Sequence, residues 1–368
     1  MQIERKIDAS ENATKNDRYK LLMIARKITD GHGVMSCLLY PTDLSEPIHI
    51  HHDEARREAR LRNVQTCKSV WACPVCADRI TRFRAAELMR GMETWLKEGN
   101  RIAMATYTLS HRSNESCRAV LNRLQAAYKR FKGDRAYKKL RVPWGIAGSI
   151  RVLELTHGEN GWHWHIHEIY FLRGKMAGRH EKMVNAMRAH WLHVVDQVGG
   201  HAVGKGFDLK AETKAAFDYV TKFGNSSNAK GWNMAREITR SPAKLRPTND
   251  GMHPFQILAA AGRSDALYTV RQWQEYVYAT KNVRQLVYSP KLKKLLGLAD
   301  IDDSTITELA SDTIMPLLAR ITIRGWYWLN RPALGIFTEF MQVAGHGDAD
   351  LLAAWLDSHD VETVPAKT

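Results

Sequence analysis

Residues 161–172 read GWHWHIHEIYFL, where His163, His165 and His167 alternate with bulky apolar side chains. A strand needs no imidazole at every second position to pack. Side chains two apart on a strand share one face, so the three imidazoles project together. Trp164, Ile166 and Ile169 are expected on the other face, toward helices. The run SIRVLEL precedes, joined through HGENG, which is a hairpin signal. A register with Thr156 opposite His163 places Glu154 opposite His165, on the histidine face. Two imidazoles and one carboxylate make a metal shell with open positions for water or a substrate oxygen. Alternation by itself leaves open which two of His163, His165 and His167 join Glu154.

A second constellation lies upstream. Cys73-Pro-Val-Cys76 offers two thiolates across a tight turn, and Cys67 lies six residues before Cys73. A structural zinc site takes four ligands. Cys37 is the natural fourth, with His51 or His52 as substitutes, and Cys117 is left to pack. Such a closed site would staple the N-terminal segment to the helix that follows.

These groups must be held by ordered elements. GVMSCLLY reads as a short strand, and the charged segment 53–62 as a helix; residues 1–30 look polar and loosely ordered. An amphipathic helix is expected from Ile80 to Glu98, then a strand in RIAMATYTLSH. The next helix is capped by Ser113 or Asn114 and presents Leu121, Leu124, Tyr128 and Phe131 on one face. After the hairpin come a helix at 178–198, a short strand in GFDLK, and a helix in AETKAAFDYVTKFG ended by Gly224. Residues 225–253 are polar and basic, the composition of a mobile loop, and HPFQILAAAG opens a mainly helical C-terminal part.

The chain has 368 residues with a net charge of +15 and five cysteines. That length suits two domains, perhaps with a small appended module. The positive field attracts polyanions, nucleic acid first among them. Five acidic residues against one lysine in the last stretch, GDADLLAAWLDSHDVETVPAKT, put the excess positive charge upstream, in EARREARLR, KRFKGDRAYKKLR and REITRSPAKLR. No apolar run reaches membrane-spanning length and MQIERKIDASENATKNDRYK lacks a signal-peptide core, which favours the cytoplasm and no membrane partner.

The order of motifs (MATYTLS strand, histidine strand, then a helix with Tyr219 and Lys222) resembles the HUH endonucleases, in which two histidines flank a bulky apolar residue. With the cysteine knuckle upstream, the chain is most similar to rolling-circle plasmid replication initiators (Rep proteins). The resemblance covers roughly residues 35–298 and also takes in GMHPFQILAAA and VRQLVYSPKLKKLLGL. It implies a site-specific single-strand DNA endonuclease and strand transferase. Tyr219 would be the nucleophile and Lys222, one helical turn on, would favour the phenolate or hold the phosphate. His165 and His167 fall on the metal motif and with Glu154 would hold Mg²⁺ or Mn²⁺, leaving His163 to face DNA or to support the shell. The products would be a 5′-phosphotyrosine and a free 3′-OH that primes synthesis. Some relatives carry a carboxylate or second tyrosine four residues before the nucleophile to end the round; Ala215 stands there, leaving Glu212, with Asp218 as an alternative.

The implied architecture is α+β: a central antiparallel sheet with helices on one face, the metal face open to single-stranded DNA. Residues 1–98 would form the zinc module and its helix, 99–225 the nuclease core, and 226–368 a basic loop and helical region for the duplex origin. Trp162 would stack a base or pack in the core. A host helicase and polymerase are the implied partners. A rolling-circle transposase shares the chemistry, and a non-catalytic zinc-containing DNA-binding regulator is the reading from another class.

Overall fold

The computed structural model describes residues 18–174, 180–210, 251–263, 267–309, 315–333 and 335–364. Its centre is a five-stranded sheet whose pairs all run antiparallel. The strands are β3 (Arg101–Tyr107), β4 (Ile146–Gly158), β5 (Gly161–Leu172), β6 (Phe207–Lys210) and β7 (Leu286–Tyr288), in the order β6-β3-β5-β4-β7. The α+β class expected from the sequence holds.

The hairpin of β4 and β5 fixes the register of everything around it. Gly158 pairs with Gly161, so only Glu159 and Asn160 form the turn. Gly161 has φ +83, and a Cβ there would sit 3.0 Å from the Ser113 backbone. Glycine alone meets both demands.

Alternation along β5 divides two chemistries. Trp164, Ile166 and Tyr170 face α3 (Cys117–Gly133) and α5 (His180–Gln197); the Trp164 indole N–H donates to the Cys117 carbonyl at 3.1 Å. The other face begins with the histidines at the hairpin end and turns apolar toward the base. There Ile169 and Phe171 join Ile102, Ile150 and Val152 beneath Leu88, Met92 and Trp95 of α2 (Pro74–Lys97). Ile169 therefore lies on the histidine face, as its spacing of two residues from His167 requires, and not opposite it.

Helix α3 starts later than expected. Ser116, not Ser113 or Asn114, caps it by accepting from the Ala119 N–H. Residues 111–115 are used instead to fold over the hairpin turn, where Ser113 meets Gly161.

The helix-covered face holds a buried charge. Glu168 is wholly buried beside α3; it accepts from Lys132 Nζ at 2.5 Å and from the Tyr170 hydroxyl at 2.6 Å. Lys132 also donates to the Tyr137 hydroxyl, on α4 (Arg135–Arg141). Removing one partner of such a pair strands the other charge in a dry interior. Lys132→Met is expected to cost about 3 kcal/mol, within the ~3–5 range for broken buried pairs. Urea unfolding measures it, and Lys132→Met with Glu168→Leu should recover part of the loss.

A second sheet has three strands in the order β2-β1-β8. It comprises β1 (Ile48–Asp53), β2 (Glu58–Arg62) and β8 (Leu317–Ile321). The helix expected over 53–62 is thus a hairpin. Its charges find partners across space, not along a helix: Arg18 bridges Glu58 and Asp78, each at 2.5 Å, and Arg60 pairs with Glu58 at 2.6 Å. GVMSCLLY is not a strand either. Gly33–Ser36 is a 3-10 turn, and Leu38 takes φ +59, turning the chain as Cys37 meets the other thiols.

Residues 18–28 form α1, contrary to the expected loose order, because Leu21, Leu22 and Ala25 are buried in the core. The C-terminal part is mainly helical as expected, beginning with α6 (Pro254–Ala261) and α7 (Leu267–Thr280). Two strands among its described residues are built into the rest: β7 joins β4, and β8 joins β1. No helix among the described residues is long and apolar enough to cross a membrane.

Candidate active site and metal centres

The register at the hairpin end is the expected one, with Thr156 opposite His163 and Glu154 opposite His165. Glu154 Oε2 lies 2.6 Å from His167 Nε2, and His167 Nδ1 lies 3.1 Å from Thr106 Oγ1 on β3. Donor atoms of Glu154, His165 and His167 fall within 4.8 Å of one another. His165 Nε2 is buried and makes no hydrogen bond among the described residues. A buried ring nitrogen without a partner costs desolvation free energy, and a cation at that point would restore it. Burial pushes His165 down to about 3, so its ring is neutral at pH 7 and keeps a lone pair to donate. Burial alone would raise Glu154, but the hydrogen bond and charge of His167 hold it below the usual carboxylate range. These three residues can hold a divalent metal.

His163 differs from its neighbours. Its Nδ1 is 2.6 Å from His111 Nε2, and its ring stands edge-on to His165 at 4.3 Å. Burial, helped by His111, lowers it to about 4. Sequence reasoning missed His111, since only the pairing of β3 with β5 brings it to this face. It also passed over His253, a buried histidine that caps α6, accepts from the Phe255 N–H and interacts with Glu154. Burial lowers His253 to about 4.

Tyr219, Lys222, Glu212 and Asp218 lie outside the described residues, as does most of the expected loop at 225–253. The strand before them, β6, pairs with β3 so that Asp208 lies opposite Thr106 and Lys210 opposite Met104. Trp162 is not available to stack a base: it is buried, lying against Tyr276 at 6.4 Å and His157 at 4.5 Å. Trp164 is buried too.

The second centre gathers all four expected cysteines. Cys37 Sγ is 3.4 Å from Cys73 Sγ and 3.6 Å from Cys76 Sγ, and Cys67 is 3.8 Å from Cys76. A tetrahedron with metal–sulfur bonds of ~2.3 Å has sulfur–sulfur edges of about 3.8 Å. A disulfide would need ~2.05 Å. Hydrogen bonds from the other three thiols hold Cys37 well below the usual thiol range, while burial pushes Cys73 up. Four crowded sulfurs therefore cannot all ionise without a cation, and they fit zinc. His51 and His52, the alternative ligands, are occupied in the smaller sheet: His51 bonds the Met315 carbonyl and His52 the Gly345 carbonyl. Cys117 is buried, and burial raises its thiol.

An antiparallel sheet carrying a two-histidine, one-carboxylate group at one end, and a four-cysteine cluster at the start of α2, is the arrangement found here. Residues 58–197 match the family described as "Replication protein". The chain is 27% identical to Protein rep of Streptomyces lividans, over 73% of this chain and 73% of that protein. It is 28% identical to a neomycin resistance protein of Streptomyces cyanogenus, over 31% of this chain and 32% of that one. No solved structure matches the chain. The resemblance to Rep-type plasmid replication proteins expected from the sequence holds.

Proposed function

We propose that this chain is a rolling-circle replication initiator of the HUH type, which nicks single-stranded origin DNA and later rejoins it. The observation that carries the reading is the convergence of Glu154, His165 and His167 around an unsatisfied ring nitrogen, inside the segment that matches replication proteins. In this reading the three residues hold Mg²⁺ or Mn²⁺. When bound, the cation polarises the scissile phosphate and offsets its developing charge.

Tyr219 supplies the nucleophile. Its phenolic oxygen bonds to phosphorus, and the 3′ oxygen leaves and takes up a proton. The phosphotyrosine conserves the bond energy, so rejoining needs no ATP. Lys222 favours the phenolate or steadies the phosphate, and Glu212 assists the terminating step. Cys37, Cys67, Cys73 and Cys76 hold a structural zinc. Residues 1–98 serve as the zinc module, 99–225 as the nuclease core and 226–368 as the origin-reading part, with a host helicase and polymerase following the nick. Similarity to Protein rep favours replication over transposition.

Labelled single-stranded origin DNA incubated with the protein and Mn²⁺ should yield a covalent adduct on a denaturing gel. The adduct should vanish in Tyr219→Phe. Binding by the wild type without any adduct overturns the nuclease reading and leaves a DNA-binding regulator.

A further inference from the structure

One charged run singled out in the sequence has no part in either metal centre. In KRFKGDRAYKKLR, at the end of α3 and along α4, Lys129, Arg130, Arg135, Lys138, Lys139 and Arg141 are all exposed. The one acid among them, Asp134, is spent capping α4 by accepting from the Ala136 N–H. A solvated helix face usually interleaves both signs, and this one does not. Immediately after it, Val142 is 81% exposed, the most exposed large hydrophobic side chain among the described residues. An apolar tip set in a cationic field suits a surface that meets a polyanion with apolar ridges between its phosphates.

The place of the patch matters as much as its charge. Arg141 donates to the Ile146 and Ala147 carbonyls, which ties the end of α4 to the base of β4. Glu154 lies eight residues further along the same strand. At ~3.4 Å per residue that separation is about 27 Å.

We infer that this basic face of α3 and α4, tied to the base of β4, holds the phosphate backbone of duplex DNA outside the strand being cut. The choice of DNA rests on the nuclease reading; the surface itself does not. The contact is to backbone, so it positions the protein without reading sequence.

The test uses the full chain carrying R135A/K138A/K139A, changes on exposed positions of a helix that alanine favours. Binding to a duplex of arbitrary sequence is followed by fluorescence anisotropy across a salt series. Each phosphate contact contributes ~0.9 to the slope of log affinity against log salt, so three lost contacts lower the slope by about 2.7. The charge reversal K138E/K139E should weaken duplex binding further. Adduct formation on a short single strand should stay within twofold of wild type. An unchanged slope in the triple variant means a merely solvated face and overturns the proposal. Equal loss of single-strand and duplex binding overturns it as well, as does tighter wild-type binding to duplex RNA than to duplex DNA. If the wild type forms no adduct, the nuclease reading fails while the salt slope still decides the surface.

Discussion

His165→Ala should lower strand cleavage about a thousandfold, with duplex binding within a few fold of wild type. The lost contribution is cation-borne charge stabilisation at phosphorus, worth several kcal/mol. About 4 kcal/mol corresponds to roughly three powers of ten in rate. The structure explains why this change should spare the fold. Among the described residues His165 Nε2 makes no hydrogen bond, so truncation removes a desolvated polar atom and not a satisfied one. Single-turnover cleavage with Mn²⁺, calorimetric Mn²⁺ titration and a thermal melt separate the effects. His163→Ala is the control, expected to cost tenfold or less, since His163 is bonded to His111 and is not part of the Glu154, His165 and His167 group. Cleavage by His165→Ala within tenfold of wild type, with Mn²⁺ binding intact, would remove this residue from the metal shell.

The largest stability effect is expected at the cysteines. Cys73→Ser should release one zinc per chain and collapse the region around it. Structural zinc contributes ~10–16 kcal/mol to the folding of small zinc modules. A whole domain is stable by only ~5–15 kcal/mol. Cys73 caps α2 and Cys76 lies in its first turn. The same helix lays Leu88, Met92 and Trp95 over the base of the histidine face. Loss of the metal should therefore reach the candidate active site through α2, lowering cleavage as well as melting temperature. Elemental analysis with a thermal melt checks both. A variant that keeps its zinc and its melting point would show the cluster to be a packed set of thiols.

Legibility of the sites followed the range of the interactions. The hairpin was readable because period-two alternation and a two-residue turn leave one register, and that register carries Glu154 to His165. The cysteines were readable because Cys73 and Cys76 announce themselves locally and zinc demands a count of four. His111 was not, because it reaches the histidine face only when β3 takes its place beside β5. The run over 53–62 misled for a related reason. Its charges can also pair along a helix, whereas in the fold Arg18 joins Glu58 and Asp78 from distant segments, and β1 pairs with both β2 and β8.

By itself, then, the amino-acid sequence determined which groups can do chemistry: a carboxylate and two imidazoles across one hairpin, four thiols, and a strong positive charge. Those follow from local periodicity, turn chemistry and ligand number, all of which act over a few residues. Only the tertiary structure decided that β8 closes the N-terminal sheet, that α2 roofs one end of the histidine face, and that His163 is bonded to His111. Pairings between residues tens to hundreds of positions apart are chosen by the burial and charge matching of the whole chain, and no local pattern encodes them.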